Sequence, residues 1–203
     1  MLPRIHLITH FPHLDEVALQ LVTAVVDVGV DAIQVRAKGA TDRELVAWTR
    51  AVVSVVRPRG ARVLVNDRLD LALAAGADGV HLGSNDLPVA DARAMVPAGF
   101  LIGATCRDGA DAERARADGA DYAGVGPVHA STTKIGLPAP IGLGALSAAA
   151  LALPTIAIGG ITAGRVPAVL RAGAHGVAVV AAVWQALDPP RAAKEIVDLV
   201  HAA

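Results

Sequence analysis

A short unit made of a glycine, an apolar residue and then an aspartate or histidine recurs four times along the 203-residue chain. It occupies positions 29–31, 76–78, 119–121 and 173–175, each time between a helical pattern and an apolar run. The glycine suits the left-handed residue that ends many helices, and the polar residue begins the turn into the next strand. The repeat therefore predicts a chain of alternating helices and strands.

Eight apolar or β-branched runs have the length and composition of strands, at 5–9, 32–35, 63–65, 79–82, 100–104, 122–125, 155–158 and 176–180. Helical patterns lie between them at 14–25, 42–56, 69–75, 89–95, 110–117, 143–150 and 163–171, and a last one spans 190–200. Near-continuous apolar strands that alternate with helices indicate a parallel sheet covered on its outer face.

Eight such units in 203 residues favour an α/β fold, a single (β/α)₈ TIM barrel close to the lower length limit of roughly 200 residues. An open doubly wound sheet is the alternative. No linker or charge run divides the chain, so we expect one catalytic domain over 1–203. Because hydrophobic residues make up 54% and aromatic residues only 2%, we expect a core built mainly from Val, Leu, Ile and Ala.

Composition also limits the function. Cys106 is the single cysteine, which excludes an intramolecular disulfide and a thiolate metal cluster. A net charge of −1 provides no broad attraction for nucleic acid or an anionic membrane. No apolar run approaches the roughly 20 residues of a spanning helix, and the N-terminus leads directly into the first strand. We therefore expect a soluble cytoplasmic protein with neither nucleic acid nor membrane as a partner.

Polar residues follow the predicted strands at the end where barrels and open α/β sheets carry their sites. Asn66 and Asp67 come after the third strand, and Asp86 comes after the fourth. Two carboxylates held in this way can share one metal ion. The alternative is that Asp67 and Asp86 are N-caps of the helices at 69–75 and 89–95.

Cationic side chains follow two other strands. Gln34, Arg36 and Lys38 alternate along the chain, so all three can point to one side. A hydroxyl-rich loop at 126–134 ends in Lys134. Arg36, Lys38 and Lys134 around one metal would hold a diphosphate well, whereas the alternative is a solvated rim.

A second anion site is indicated after the seventh and eighth strands. Gly159 and Gly160 follow the seventh strand, and small residues follow the eighth at 180–182. Glycines let backbone N–H groups approach a phosphate, and barrels often bind phosphate in these two loops. Cys106 comes just after the fifth strand, at the loop face, so it could be a nucleophile, although a small buried filler fits better.

Five spaced motifs together resemble the thiamine phosphate synthase family, the ThiE/TenI barrels. They are Gln34-x-Arg36-x-Lys38, Asn66-Asp67-Arg68, the 76–88 segment with Asp86, Gly126-Pro127-Val128 with Thr133-Lys134, and the 157–161 segment with Gly159 and Gly160. The match runs in order from about Ile5 to Ala186.

The resemblance implies a transferase that joins 4-amino-5-hydroxymethyl-2-methylpyrimidine diphosphate to 4-methyl-5-(2-hydroxyethyl)thiazole phosphate, releasing thiamine phosphate and diphosphate. It implies Mg²⁺ as cofactor, with Asp67 and Asp86 as ligands. By position, Arg36, Lys38, Asn66 and Lys134 would hold the diphosphate, Gln34 and His81 would contact the pyrimidine, and Ser131, Thr133, Gly160 and Ala181 would bind the thiazole phosphate.

Thr105 occupies a position where the family has a serine. The resemblance therefore implies Thr105, Arg36, Lys38 and Lys134 as the catalytic residues. The residue set permits dissociative chemistry, in which diphosphate leaves before the thiazole nitrogen attacks and no protein nucleophile is required. A homo-oligomer is compatible with the sequence.

Several positions depart from the family pattern and bear on substrate fit. They are His10, Ser84, Asn85, His129, Ala130, Ser131 and Ala181. His129 supports one alternative, a TenI-type thiazole tautomerase that works without metal, because a histidine in the sixth loop could move protons. The other alternative is a non-catalytic protein that binds thiazole phosphate or thiamine phosphate.

Overall fold

The computed structural model describes residues 1–10, 15–131, 133 and 136–203. Eight parallel strands pair in chain order, and the eighth pairs with the first, so the barrel is closed. This closure confirms the (β/α)₈ prediction and excludes the open sheet. The strands are β1 (Ile5–Ile8), β2 (Ala32–Val35), β3 (Arg62–Asn66), β4 (Gly79–Leu82), β5 (Leu101–Cys106), β6 (Tyr122–Val125), β7 (Thr155–Ile158) and β8 (Gly176–Val179).

Helices alternate with the strands and cover the outside of the barrel, except for the short one after β8, which borders the cavity at its carboxyl end. They are α1 (Glu16–Asp27), α2 (Asp42–Val56), α3 (Leu69–Ala75), α4 (Val89–Met95), α5 (Gly109–Ala117), α6 (Gly142–Ala150), α7 (Val166–Arg171), α8 (Ala181–Trp184) and α9 (Pro189–His201). The helices differ from the prediction in two places. The 163–171 segment begins with a 3₁₀ turn at Ala163–Arg165, and the short α8 after β8 was not predicted, because four residues are too few to show a helical period.

The predicted limits of the first helix and the fifth strand also shift. The first helix begins at Glu16, behind an Asp15 side chain that accepts from the backbone N–H of Ala18, and Leu14 lies outside the described residues. Phe100 is not in β5, because its N–H closes a turn on the carbonyl of Pro97. β5 begins at Leu101 and ends at Cys106, two residues beyond the predicted end.

Local signals in the sequence explain where α2 begins and which face it buries. The Thr41 hydroxyl accepts from the backbone N–H of Glu44, and the Glu44 carboxylate accepts from the backbone N–H of Thr41. This reciprocal capping box satisfies two N–H groups that the first turn leaves unpaired. Apolar residues at three- and four-residue spacing then pack inward, namely Leu45, Trp48, Val52 and Val56.

The fourfold glycine unit has a second structural role at the amino end of the barrel. Asp31, Asp78 and Asp121 each precede an even-numbered strand, and each carboxylate accepts a backbone N–H from the preceding odd-numbered strand or the residue before it. In the fourth unit the His175 ring lies 3.2 Å from the carbonyl oxygen of Leu2. The polar residue of each unit therefore fastens neighbouring strands together.

The core has two parts. Between the strands and the helices it is built mainly from Val, Leu, Ile and Ala, as composition predicts. Inside the barrel a smaller cluster contains Ile8, Leu64, Tyr122, Ile156 and Ala178. Buried polar residues, including His6 and Gln34, lie in this interior, which composition did not indicate. Within the described ranges, no helix is both long and apolar enough to cross a membrane.

Candidate active site

A cavity of about 520 Å³ opens at the carboxyl end of the strands. This volume is in the usual range for small-molecule sites. Most of the residues predicted for the site line it, namely Gln34, Arg36, Lys38, Asn66, Asp67, His81, Thr105, Ser131, Thr133, Gly160 and Ala181. Lys134 lies outside the described residues. Asp86 is not among the described residues that line the cavity, but its carboxylate accepts from the N–H of Gly83, which does line it.

Neither aspartate is a helix cap. The residue before α3 is Arg68, and α3 has no side-chain cap. The residue before α4 is Pro88, and the Asp86 Oδ2 instead accepts the backbone N–H of Gly83 at 2.6 Å. The N-cap alternative is therefore wrong for both residues.

Backbone geometry directs Asp67 toward the cavity. Its φ of 68° is left-handed, a conformation that aspartate tolerates better than most residues with a side chain. The Asp67 N–H donates to the carbonyl of His81 at 2.8 Å, which ties the end of β3 to β4.

The two carboxyl groups interact. Burial and the neighbouring Asp86 raise the pKa of Asp67, while Arg36 and Lys38 lower it. A pair of like charges in this position is stabilised by a cation, and carboxylate oxygens are ligands that Mg²⁺ prefers. Among the described residues, no cluster of three or more His, Cys, Asp or Glu side chains is placed to bind a metal. Two carboxylates fit Mg²⁺, which commonly takes its other ligands from water and substrate phosphates.

Hydrogen bonds fix the segment that carries the β2 cations. The Thr9 hydroxyl accepts from the N–H of Arg36 at 2.8 Å and donates to the Arg36 carbonyl at 3.0 Å. Gln34 donates through Nε2 to the Asn66 Oδ1 at 2.8 Å, which links β2 to β3. Gln34, Arg36 and Lys38 all line the cavity, as their alternation predicts.

His81 lies between two hydroxyl groups. Its Nδ1 is 3.1 Å from the Tyr122 hydroxyl, and its Nε2 is 3.1 Å from the Thr105 hydroxyl. The His81 and Tyr122 rings are stacked, with centroids 5.6 Å apart. Thr105, on the cavity wall, is therefore connected to a tyrosine inside the barrel.

The glycine loop after β7 packs on the loop after β6. Gly160 has a φ of 64°, and a Cβ there would lie 2.4 Å from the Ala130 carbonyl oxygen, so glycine is required. Arg165 donates to the Gly160 carbonyl at 2.5 Å, and both residues line the cavity.

Several residues of this site were missed from sequence, and three of them bear on its chemistry. Arg107 and Arg165 line the cavity, and Tyr122 supports His81. Arg107 follows β5 directly, so the rule that functional residues follow strands could have found it. Arg165 lies beyond the glycine loop, and Tyr122 sits in an apolar strand; neither carried a local signal.

Cys106 and His129 are the residues that the alternative chemistries would use, Cys106 as a nucleophile and His129 as a proton shuttle. Cys106 is the last residue of β5, not a loop residue, and burial raises the pKa of its thiol to about 12. The nucleophile alternative is therefore wrong, and the buried filler is confirmed. His129 is not among the described residues that line the cavity. Burial and Arg165 lower its pKa.

Comparison with known proteins identifies the family. Residues 5–183 match the family model described as thiamine monophosphate synthase. The chain is 47% identical over 201 residues to the thiamine-phosphate synthase of Salinispora arenicola, covering 97% of each chain. It is 49% identical over 177 residues to that of Methanoculleus marisnigri, covering 86% of this chain and 84% of the relative.

Solved structures agree with this match. The thiamine phosphate pyrophosphorylase of Pyrococcus furiosus superposes with a TM-score of 0.88 at 33% identity, covering 98% of this chain and 96% of that one. A 3-hexulose-6-phosphate synthase, at 24% identity and a TM-score of 0.77, shares the fold. The chain therefore belongs to the thiamine monophosphate synthase family and is an enzyme of that family.

Proposed function

We propose that the chain condenses the pyrimidine diphosphate with thiazole phosphate by a Mg²⁺-dependent dissociative reaction, which yields thiamine phosphate and diphosphate. One observation supports the proposal: a single cavity is lined by two separate groups of residues that are suited to bind anions. The first follows β2 to β4, and the second follows β6 to β8 and is centred on the loop after β7. β3 and β7 are four strands apart in the ring of eight, so the two regions face each other across the barrel.

The first region suits the diphosphate. Arg36 offers a planar fork to phosphate oxygens, and Lys38 offers a mobile point charge. Asn66 lies beside them, with its amide oriented by Gln34. Lys134 is assigned here from the sequence alone. When bound at Asp67 and Asp86, Mg²⁺ would neutralise charge on the leaving diphosphate.

The second region suits the single phosphate of the thiazole. Backbone at Gly160 and Ala181, together with the hydroxyls of Ser131 and Thr133, lines this side of the cavity. Arg165 adds a cation that the sequence did not indicate. The Ala181 side chain cannot donate a hydrogen bond to the phosphate. Arg165 would add a charged donor to the backbone N–H groups of this region.

The reaction requires one bond to break before another forms. The bond between the pyrimidine methylene carbon and the diphosphate oxygen breaks, and both electrons leave with the diphosphate. The thiazole nitrogen then donates its lone pair to that carbon. Gln34 on β2 and His81 on β4 line the cavity beside the first region and would orient the pyrimidine. Thr105 would donate to the departing oxygen. The buried thiol of Cys106 takes no part in this scheme.

Product analysis tests this proposal. The purified chain is incubated with both substrates and Mg²⁺, and products are identified by mass spectrometry. We expect thiamine phosphate and diphosphate in equal amounts. In a separate metal-free incubation, conversion of a thiazole phosphate tautomer, followed by NMR because tautomers have equal mass, would instead establish the tautomerase alternative, and binding without turnover would establish the non-catalytic one. A cytoplasmic location and a homo-oligomer stay predictions.

A further inference from the structure

We propose that Tyr122 is a positioning residue, which acts through His81 to hold the Thr105 hydroxyl as a hydrogen-bond donor toward the diphosphate. The inference rests on the proposed function for the identity of the anion. Its structural part, the state of the His81 ring, stands independently of any reaction.

The buried Tyr122 hydroxyl determines which groups donate and which accept in the hydrogen bonds from Tyr122 through His81 to Thr105. Tyr122 is 1% exposed, so its hydroxyl cannot donate to solvent. Within the described part of the chain, the hydrogen-bond partner of that hydroxyl is the His81 Nδ1, at 3.1 Å. A buried donor without an acceptor destabilises the folded protein, because it has lost its hydrogen bond to water. Tyr122 therefore donates, and Nδ1 must be the unprotonated nitrogen that accepts.

This assignment fixes the other half of the His81 ring. A neutral imidazole with a bare Nδ1 carries its proton on Nε2. Nε2 then donates to the Thr105 oxygen at 3.1 Å. Because the Thr105 oxygen accepts a hydrogen bond from His81 Nε2, the Thr105 O–H points away from His81, toward the cavity that the residue lines.

A fixed donor matches the chemistry proposed at this wall. Diphosphate oxygens accept hydrogen bonds and do not donate them. Were Nδ1 protonated instead, Nε2 would accept from Thr105, and the threonine would present only lone pairs to an anion. Burial raises the pKa of Tyr122 above its ordinary value, so the phenol stays protonated and remains a donor.

Two glycines make room for this arrangement. A Cβ on Gly103 would lie 2.1 Å from the Tyr122 ring, and one on Gly124 would lie 2.6 Å from the His81 ring. Neither position has the left-handed φ that would itself require glycine. On the other side of Tyr122 the His6 ring packs edge-on, with centroids 5.0 Å apart. The Tyr122 and His81 rings are therefore packed closely by their neighbours, which limits the orientations that both rings can adopt.

Nitrogen NMR tests the tautomer directly in the free protein. The ring of His81 is assigned by comparing ¹⁵N spectra of the parent and His81→Gln, since the chain has seven histidines. We expect the Nε2-protonated form in the parent and a change in its Nδ1 shift in Tyr122→Phe. An Nδ1-protonated ring in the parent would overturn the proposal, whether or not the chain forms thiamine phosphate.

A double-mutant cycle tests the connection to Thr105. Tyr122→Phe keeps the ring and removes only the hydroxyl, and we expect kcat to fall about tenfold while both KM values stay within about twofold. The effect should disappear in a Thr105→Val background and persist in Thr105→Ser, which keeps a hydroxyl. Equal losses from Tyr122→Phe in the parent and in Thr105→Val would overturn the proposal, because the tyrosine would then act independently of the threonine.

Discussion

The carboxyl group of Asp86 lies close enough to that of Asp67 to raise its pKa, although the two residues follow different strands. Asp67 is held by a backbone bond to His81, and Asp86 is held by the N–H of Gly83. The protein therefore keeps two acidic groups together at the mouth of the barrel. Two ionised carboxylates in this position repel each other, and a cation bound between them would relieve that repulsion.

Removing either charge should weaken metal binding. We expect Asp67→Asn and Asp86→Asn to raise the Kd for Mg²⁺ at least tenfold, measured by calorimetry in the presence of inorganic diphosphate. Asparagine keeps an oxygen acceptor, so the Gly83 contact and the fold should survive. Asp91→Asn is the matched control, because this acid is exposed on nearby α4. Parent-like affinity in both site variants would mean that the carboxylates do not bind the metal.

The two anion regions should respond to different substitutions. We expect Arg36→Gln to reduce kcat by about 10²-fold or more, since its contact strengthens as charge develops on the diphosphate. Binding of thiazole phosphate should be largely unchanged, and Arg43→Gln, an exposed position on α2, is the control. Calorimetry in which Lys134→Ala loses thiazole phosphate but retains the pyrimidine diphosphate would reverse the assignment of the two sites.

His129 separates the synthase from the tautomerase. The condensation needs no proton shuttle at its ionisation step, so we expect His129→Asn to keep turnover within about tenfold, roughly 1.4 kcal/mol of barrier. The position of the residue outside the cavity lining agrees with this expectation. A loss of several orders of magnitude, measured under saturating substrates, would shift the assignment toward proton transfer.

His6 should make stability fall in mild acid. Burial lowers its pKa from 6.5 to about 3, so between these values the unfolded chain binds a proton that the folded protein does not. His6 then contributes a loss of about 1.4 kcal/mol in the free energy of unfolding for each pH unit below about 6, until pH approaches 3.

Urea unfolding of the parent and of His6→Phe measures this contribution. Phenylalanine keeps a ring beside Tyr122 and cannot titrate. Because carboxylates titrate in both proteins, the informative quantity is the difference between their slopes from pH 6 to pH 4. Parallel curves would contradict a neutral buried His6.

The sequence predicted the barrel well because its information is local. Each glycine unit marks one helix-to-strand boundary, and apolar runs mark the strands. The candidate site was predictable where a residue directly follows a strand, as Arg36 and Asp67 do. Their side chains reach one cavity because parallel strands end at one face.

Other features depend on contacts that are distant in sequence. Tyr122 looks like one more apolar strand residue, and its connection to His81 spans 41 positions. Arg165 reaches the cavity only because the turn after Gly160 folds back on itself. Asp86 resembles an N-cap by spacing, yet its carboxylate turns back toward Gly83, and nothing local distinguishes the two outcomes.

The central claim is that a barrel-end carboxylate pair and its cations make diphosphate leave so that thiazole phosphate can attack. The most direct test follows both products while Mg²⁺ is removed by a chelator and then restored, in the parent and in Asp67→Asn. We predict that the parent forms thiamine phosphate and diphosphate one to one, stops when Mg²⁺ is removed and recovers when it is restored, while Asp67→Asn stays at least about a hundredfold slower. Undiminished condensation by the parent in chelator, or by Asp67→Asn in Mg²⁺, would contradict the account.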